Sequence, residues 1–163
     1  MNYSRHPLRI NVGFLINQPV GTSRDIELDY PTLFLQPDLD VTDFKGSMRI
    51  GRAQQGIYMQ GDIKAEVEAE CVRCLTIFKQ PLHAIFTELY AFSIQSASEM
   101  GLVLSDDGNI DLAPLIREYM SIEIPISPLC RVDCKGLCPV CGQDLNLSVC
   151  EHQQQPLLNI NQA

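Results

Sequence analysis

Seven cysteines and one histidine carry the most specific chemistry in this chain. Cys71 and Cys74 form a Cys-x2-Cys pair, and Cys130, Cys134, Cys138, Cys141 and Cys150 follow in the last third, with His152 close behind. Thiolate and imidazole are zinc ligands, and eight such groups are the number needed for two tetrahedral sites. Cys138-Pro139-Val140-Cys141-Gly142 reads as a zinc knuckle. Its tight turn lets two sulfurs reach one ion while backbone N–H groups hydrogen-bond the thiolates. Gly142 tolerates the left-handed geometry that such turns require. Sites filled in this way leave no position for water or substrate, which is the pattern of structural zinc and not of catalytic zinc.

Reach decides how the eight ligands divide. Cys138, Cys141, Cys150 and His152 lie close enough in sequence for a local loop. Cys130 and Cys134 then need partners, and Cys71 with Cys74 is the pair that remains. A competing division groups Cys130, Cys134, Cys138 and Cys141, which crowds four ligands together and leaves the upstream pair without a complement. The metal would tie the C-terminal segment to the upstream pair and replace core that a small module cannot build.

Other chemistries fit less well. A thiol redox pair belongs at a helix N-terminus in a βαβ context, whereas Cys71-Val72-Arg73-Cys74 joins two strand-like segments. Asp106-Asp107-Gly108-Asn109-Ile110-Asp111 resembles a calcium loop, but its glycine is misplaced and the bidentate glutamate is missing, so it reads as a turn leading to a helix cap. Arg73, Lys79, Arg131 and Lys135 lie near the cysteines and serve either as counter-charge to thiolates or as a small phosphate-contacting patch. No nucleophile–base constellation and no phosphate-cradling glycine loop stands out, so no catalytic residue is assigned.

The elements that must position these ligands read as mainly β. Leu8, Ile10, Val12, Phe14 and Ile16 alternate, which predicts a strand over 8–16. Ile26, Leu28 and Tyr30 continue the β character, and Phe44, Met48 and Ile50 suggest a further strand. The longest alternation runs over 57–71, with a bend expected near Gly61. It turns through Cys71–Cys74 and returns over 75–92, a hairpin with the first cysteine pair at its tip. Pro81 weakens the return strand or marks it as an edge. Asp111 has the character of an N-cap, and Leu112, Leu115, Ile116, Tyr119 and Met120 predict an amphipathic helix over 112–122.

The fold class expected is α+β: an antiparallel β-rich core, sheet or barrel-like, with one late amphipathic helix and a C-terminal zinc-knuckle module. The core spans 1–127, the cysteine-rich module spans 128–152 and docks on it, and a polar tail fills 153–163. A formal net charge of −8 argues against general polyanion binding. Nucleic-acid contact must then be local or pass through a protein partner. No signal peptide and no membrane span is read, so a cytoplasmic address is expected. In that reducing compartment clustered cysteines favour metal over disulfides.

Three blocks in order carry a resemblance. Glu70-Cys71-Val72-Arg73-Cys74-Leu75 comes first, then Ile110-Asp111-Leu112 opening a helix, then Cys130-Arg131-Val132-Asp133-Cys134-Lys135-Gly136-Leu137-Cys138-Pro139-Val140-Cys141-Gly142-Gln143-Asp144-Leu145-Asn146. The chain resembles the YceD family, the large ribosomal RNA subunit accumulation proteins, over roughly 8–152. The resemblance implies a bacterial or plastid protein needed for accumulation or processing of 23S rRNA. It would be an assembly factor without enzymatic activity, meeting a large-subunit ribosomal protein or precursor 23S rRNA. A thiol redox protein or an RNA-processing enzyme is the alternative. Some family members keep the first cysteine pair and lack the final knuckle, which favours the division by reach. Where many cysteine-rich members end in Cys-x-Cys, this chain has Cys150-Glu151-His152, so imidazole replaces one thiolate.

Overall fold

The computed structural model describes residues 7–96 and 102–154. In chain order the elements are β1 (Arg9–Asn11), α1 (Gly13–Ile16), β2 (Ser23–Leu35), β3 (Leu39–Arg52), β4 (Gly56–Glu70), β5 (Ile77–Ala91), β6 (Asn109–Asp111) and α2 (Ala113–Glu123), with 3-10 turns at Ile94–Ser96 and Glu151–Gln154. The chain divides into two units, Met1–Val67 with Pro81–Ile124, and Glu68–Gln80 with Pro125–Ala163. The hairpin tip thus groups with the cysteine-rich segment. The polar tail expected from Gln153 lies, from 155 onward, outside the described residues.

In the first unit, strands β2 to β5 form a sheet in the order β2-β3-β4-β5. β2 pairs antiparallel with β3, placing Ile26 opposite Met48 and Tyr30 opposite Phe44, and β3 pairs antiparallel with β4. The period-2 pattern sets the faces. Leu28, Phe44, Met48, Ile50, Met59, Ile63, Ala65 and Phe86 are buried on one side, while Asp25, Glu27, Arg49, Asp62 and Lys64 project from the other. The sheet is open. Among the described residues β2 and β5 are its two edge strands and do not pair with each other, so the barrel-like alternative is corrected to an antiparallel sheet. Four strands are too few to close around a side-chain-filled interior. Both edge strands carry an internal proline, Pro31 in β2 and Pro81 in β5. That is where a missing backbone N–H costs least.

Helix α2 buries Leu115, Ile116 and Met120, and its Tyr119 ring stacks on Phe86 with centroids 4.9 Å apart. Phe86 in turn covers Gly61, where a Cβ would come within 2.4 Å of the ring. The glycine in mid-strand is therefore a site of close approach. The Tyr119 hydroxyl donates to the Glu88 carboxylate. The helix starts one residue later than predicted. Leu112 occupies the N-cap position, while the Asp111 carboxylate accepts the Ala113 N–H at 3.0 Å.

The strand predicted over 8–16 is largely corrected. Only Arg9–Asn11 is extended, pairing with β6 so that Ile10 faces Ile110. The Val12 N–H then donates to Gly108 O, and the chain turns into the four-residue α1. Leu15 is buried instead of Phe14, whose ring lies under the Arg24 guanidinium, 4.5 Å from its centroid. The acidic turn before α2 behaves as a turn. Asp107 accepts from Asn109 and from Arg9, and Gly108 adopts φ +67. His83 Nε2 in β5 lies 2.8 Å from the Asp62 carboxylate in β4. Among the described residues no helix is long and apolar enough to cross a membrane.

Candidate metal centres

Both groups of ligands lie in the second unit. Strands β4 and β5 bring the chain to a hairpin tip, where the Cys71 N–H donates to Thr76 O at 3.0 Å. The Cys71–Cys74 turn closes with the Leu75 N–H donating to Cys71 O at 2.9 Å, and Leu75 sits at φ +60. The Cys138–Cys141 turn repeats this geometry. The Gly142 N–H donates to Cys138 O at 2.8 Å, and Gly142 sits at φ +74. Both knuckles thus require a left-handed residue after the second cysteine. Glycine supplies it without a Cβ clash in one case, and leucine carries the cost in the other.

The C-terminal segment is knit to the hairpin tip by main-chain bonds. Val72 N–H donates to Pro128 O and Leu137 N–H to Arg73 O, each at 3.0 Å. The Arg73 guanidinium donates to Cys134 O at 2.8 Å. This commits one of the four basic residues near the cysteines to a structural bond, and Arg131 lies 3.5 Å from Asp133. Gly136 permits the close approach with φ +75, since a Cβ there would lie 3.0 Å from Arg73 O.

The eight residues gather into two sets of four, in the division that reach favours over the competing one. Cys71, Cys74, Cys130 and Cys134 form the first; Cys138, Cys141, Cys150 and His152 form the second. Within each, the ligand atoms all lie within 4.8 Å of one another. In the first set Cys71 and Cys134 sulfurs are 3.8 Å apart, and Cys74 and Cys130 sulfurs 3.6 Å. In the second, Cys150 Sγ lies 3.3 Å from Cys141 Sγ, 3.5 Å from Cys138 Sγ and 3.1 Å from His152 Nδ1. Ligands about 2.3 Å from a tetrahedral zinc ion are about 3.8 Å from each other. The first set has that size, and the second is slightly tighter.

The proton chemistry of each set also suits a dication. Cys71 is lowered to about 6, first by the Cys130 backbone N–H and then by those of Cys74 and Arg73. Cys74 is lowered by the Thr76 hydroxyl and backbone. Cys130 is pushed up to about 12 by burial and by the neighbouring sulfurs. In the second set Cys138 is lowered to about 6 by the backbone N–H groups of Cys141 and Val140. For Cys150 the His152 backbone N–H pulls downward, but burial and the Cys141 and Cys138 sulfurs outweigh it and raise the thiol to about 11. The four sulfurs of the first set, or the three of the second, cannot all ionise this close together unless a cation neutralises them. A bound metal would remove the conflict and take all the thiols as thiolates.

The sets differ in exposure. Cys71, Cys74 and Cys134 are buried and Cys130 is half-buried, whereas Cys141 and His152 in the second set are exposed. One contributor escaped sequence reasoning. Asn146 directs Nδ2 to Cys134 Sγ at 3.5 Å, while its Oδ1 accepts the Lys135 N–H at 2.8 Å. It sits in the last block of the family-like motif, but no ligand spacing marks it.

A protein of Mycobacterium tuberculosis is 35% identical over 104 residues, covering 60% of this chain and 49% of its own length. A Mycobacterium leprae protein is 33% identical over 104 residues, covering 60% and 47%. The maize protein named large ribosomal RNA subunit accumulation protein YCED homolog 1, chloroplastic, is 22% identical over 139 residues, covering 66% and 44%. The chain spans about half the length of the curated relatives it matches. No solved structure matches it. The family described as large ribosomal RNA subunit accumulation protein YceD matches residues 59–160, a range that holds all eight ligand positions. Over more than half of its length, then, this chain carries the sequence that defines the YceD family, and it belongs to that family.

Proposed function

We propose that this protein is a cytoplasmic, non-enzymatic assembly factor of the large ribosomal subunit, required for accumulation of 23S rRNA and held in shape by two structural zinc ions. The observation that carries the reading is the family match over 59–160. The name of the maize relative, which speaks of large ribosomal RNA subunit accumulation, supports it.

Cys71, Cys74, Cys130 and Cys134 would hold one ion, and Cys138, Cys141, Cys150 and His152 the other. Four protein ligands satisfy a tetrahedral zinc ion, so neither site keeps a position for water or substrate, which supports a structural role. With a net charge of −8, the chain is a poor general RNA binder. Its route to the subunit is a large-subunit ribosomal protein or a short local contact with precursor 23S rRNA. Depletion followed by measurement of 23S against 16S rRNA tests the function. The ratio falls if the proposal holds, and an unchanged ratio overturns it. Recovery of a ribosomal protein with the tagged chain after RNase treatment identifies the protein route, and its loss identifies RNA.

A further inference from the structure

The two ligand sets share their donor chemistry but not their setting. The first joins residues 56 and 63 positions apart, and three of its four cysteines are buried. Reaching them requires opening the hairpin tip away from the C-terminal segment. The second set is closed within 138–152, and two of its four ligands, Cys141 and His152, are exposed. Opening it disturbs only a local loop and the 3-10 turn at Glu151–Gln154. The sulfur of Cys141, an exposed residue, lies 3.3 Å from that of Cys150, a buried one. An accessible thiolate next to a second sulfur is the arrangement in which oxidation proceeds to a disulfide.

We propose that the second set is a peroxide-sensitive site, in which Cys141 is oxidised first, Cys150 closes a disulfide with it, and the metal is released while the first set stays intact. The inference rests on the reading of the two sets as zinc sites. In the first step the Cys141 thiolate attacks one oxygen of a hydroperoxide. The O–O bond breaks, Cys141 becomes a sulfenic acid, and the other oxygen leaves and takes a proton. In the second step the Cys150 thiolate attacks the Cys141 sulfur. An S–S bond forms, the S–O bond breaks, and hydroxide leaves and is protonated to water. Two thiolates lose two electrons in all, and the peroxide gains them. The ion, stripped of two of its four ligands, departs as Zn²⁺.

The test uses the full zinc-loaded chain and hydrogen peroxide. A colorimetric chelator follows zinc release, and peptide mass spectrometry after alkylation follows each cysteine. One equivalent of zinc should leave in step with a Cys141–Cys150 disulfide, while Cys71, Cys74, Cys130 and Cys134 remain reduced and their ion leaves at least about tenfold more slowly, as exposure dictates. In Cys150→Ser a sulfenic acid should persist at Cys141 and be trapped by dimedone. Release of both ions at one rate, earlier oxidation in the first set, or a disulfide that omits Cys141 overturns the proposal. A chain isolated without zinc overturns the zinc reading instead. This inference then falls with it, whereas a zinc-loaded chain that fails the oxidation map overturns this inference alone.

Discussion

The Cys74 and Cys130 sulfurs lie 3.6 Å apart although 56 positions separate them in the chain. A contact of that span is expensive to make by chance, because closing a long loop costs entropy. Here it is approached from both sides. The β4–β5 hairpin delivers Cys71 and Cys74, and the bonds from Val72 to Pro128 and from Leu137 to Arg73 deliver Cys130 and Cys134. The main chain therefore preforms the set that a metal would lock.

Replacing one ligand tests this lock. On the proposed two-zinc reading, Cys74→Ser should reduce bound zinc from two ions per chain to one, because the second set lies wholly within 138–152. If the metal acts as a cross-link, its loss returns loop-closure entropy worth about 4 kcal/mol, by analogy with a disulfide closing a loop of this length. Metal analysis gives the first number and denaturant unfolding the second. Two ions retained in the variant would remove Cys74 from the set.

The grouping of the cysteines and His152 into two sets was legible because it follows from donor chemistry and reach, which leave few options. The β4–β5 hairpin was legible because alternation over fifteen residues admits little else. Residues 8–16 were not, because Leu8, Ile10 and Val12 alternate genuinely. What ends the strand is the Val12 to Gly108 bond, which involves a turn nearly one hundred residues away. The full span of β2 was not legible, because it runs through Pro31, and a proline inside a strand is tolerated only where that strand is an edge. Gly142 announced its knuckle, whereas Leu75 takes the same backbone role with no sign in its residue type.

Asn146 supplies a test of the surroundings of the first set. Its Nδ2 donates to Cys134 Sγ while its Oδ1 holds the Lys135 N–H. Partners that orient a ligand typically change metal affinity by about 10- to 100-fold. Asn146→Ala should therefore weaken zinc at the first set by that order and leave the second unchanged. Competition with a graded series of chelators reads both sites. Equal weakening of the two would mean that Asn146 acts on the whole segment.

Asp107 predicts a dependence on pH in the β-sheet unit. Its carboxyl is held below the ordinary value of 3.8, first by the Asn109 side chain, then by the Asn109 backbone N–H and by Arg9. A carboxyl with a depressed folded pKa stabilises the fold above its unfolded pKa, and this contribution is lost as pH falls through the folded value. Asp107→Asn should lower Tm at pH 7, and the gap from the parent chain should shrink as pH drops below about 4. Taking the difference between the two chains cancels any acid loss of metal common to both. A gap that is constant with pH would assign the effect to packing.

Two glycines separate backbone conformation from close approach. Gly136 and Gly142 have nearly the same φ, +75 and +74. An L-residue in that region costs about 1–2 kcal/mol at either position. Their surroundings differ. A Cβ at Gly142 meets nothing within 4 Å, whereas one at Gly136 would lie 3.0 Å from Arg73 O. That carbonyl accepts the Leu137 N–H, one of the bonds joining the hairpin tip to the cysteine-rich segment. Both alanine variants should be destabilised, and Gly136→Ala should lose more, because the carbonyl must shift and weaken its bond. The first set then suffers as well, so Gly136→Ala should lose zinc from Cys71, Cys74, Cys130 and Cys134 at lower chelator concentration, whereas Gly142→Ala should not. Equal Tm losses with unchanged chelator sensitivity would mean that the two halves of the first set are held together by the sulfurs alone.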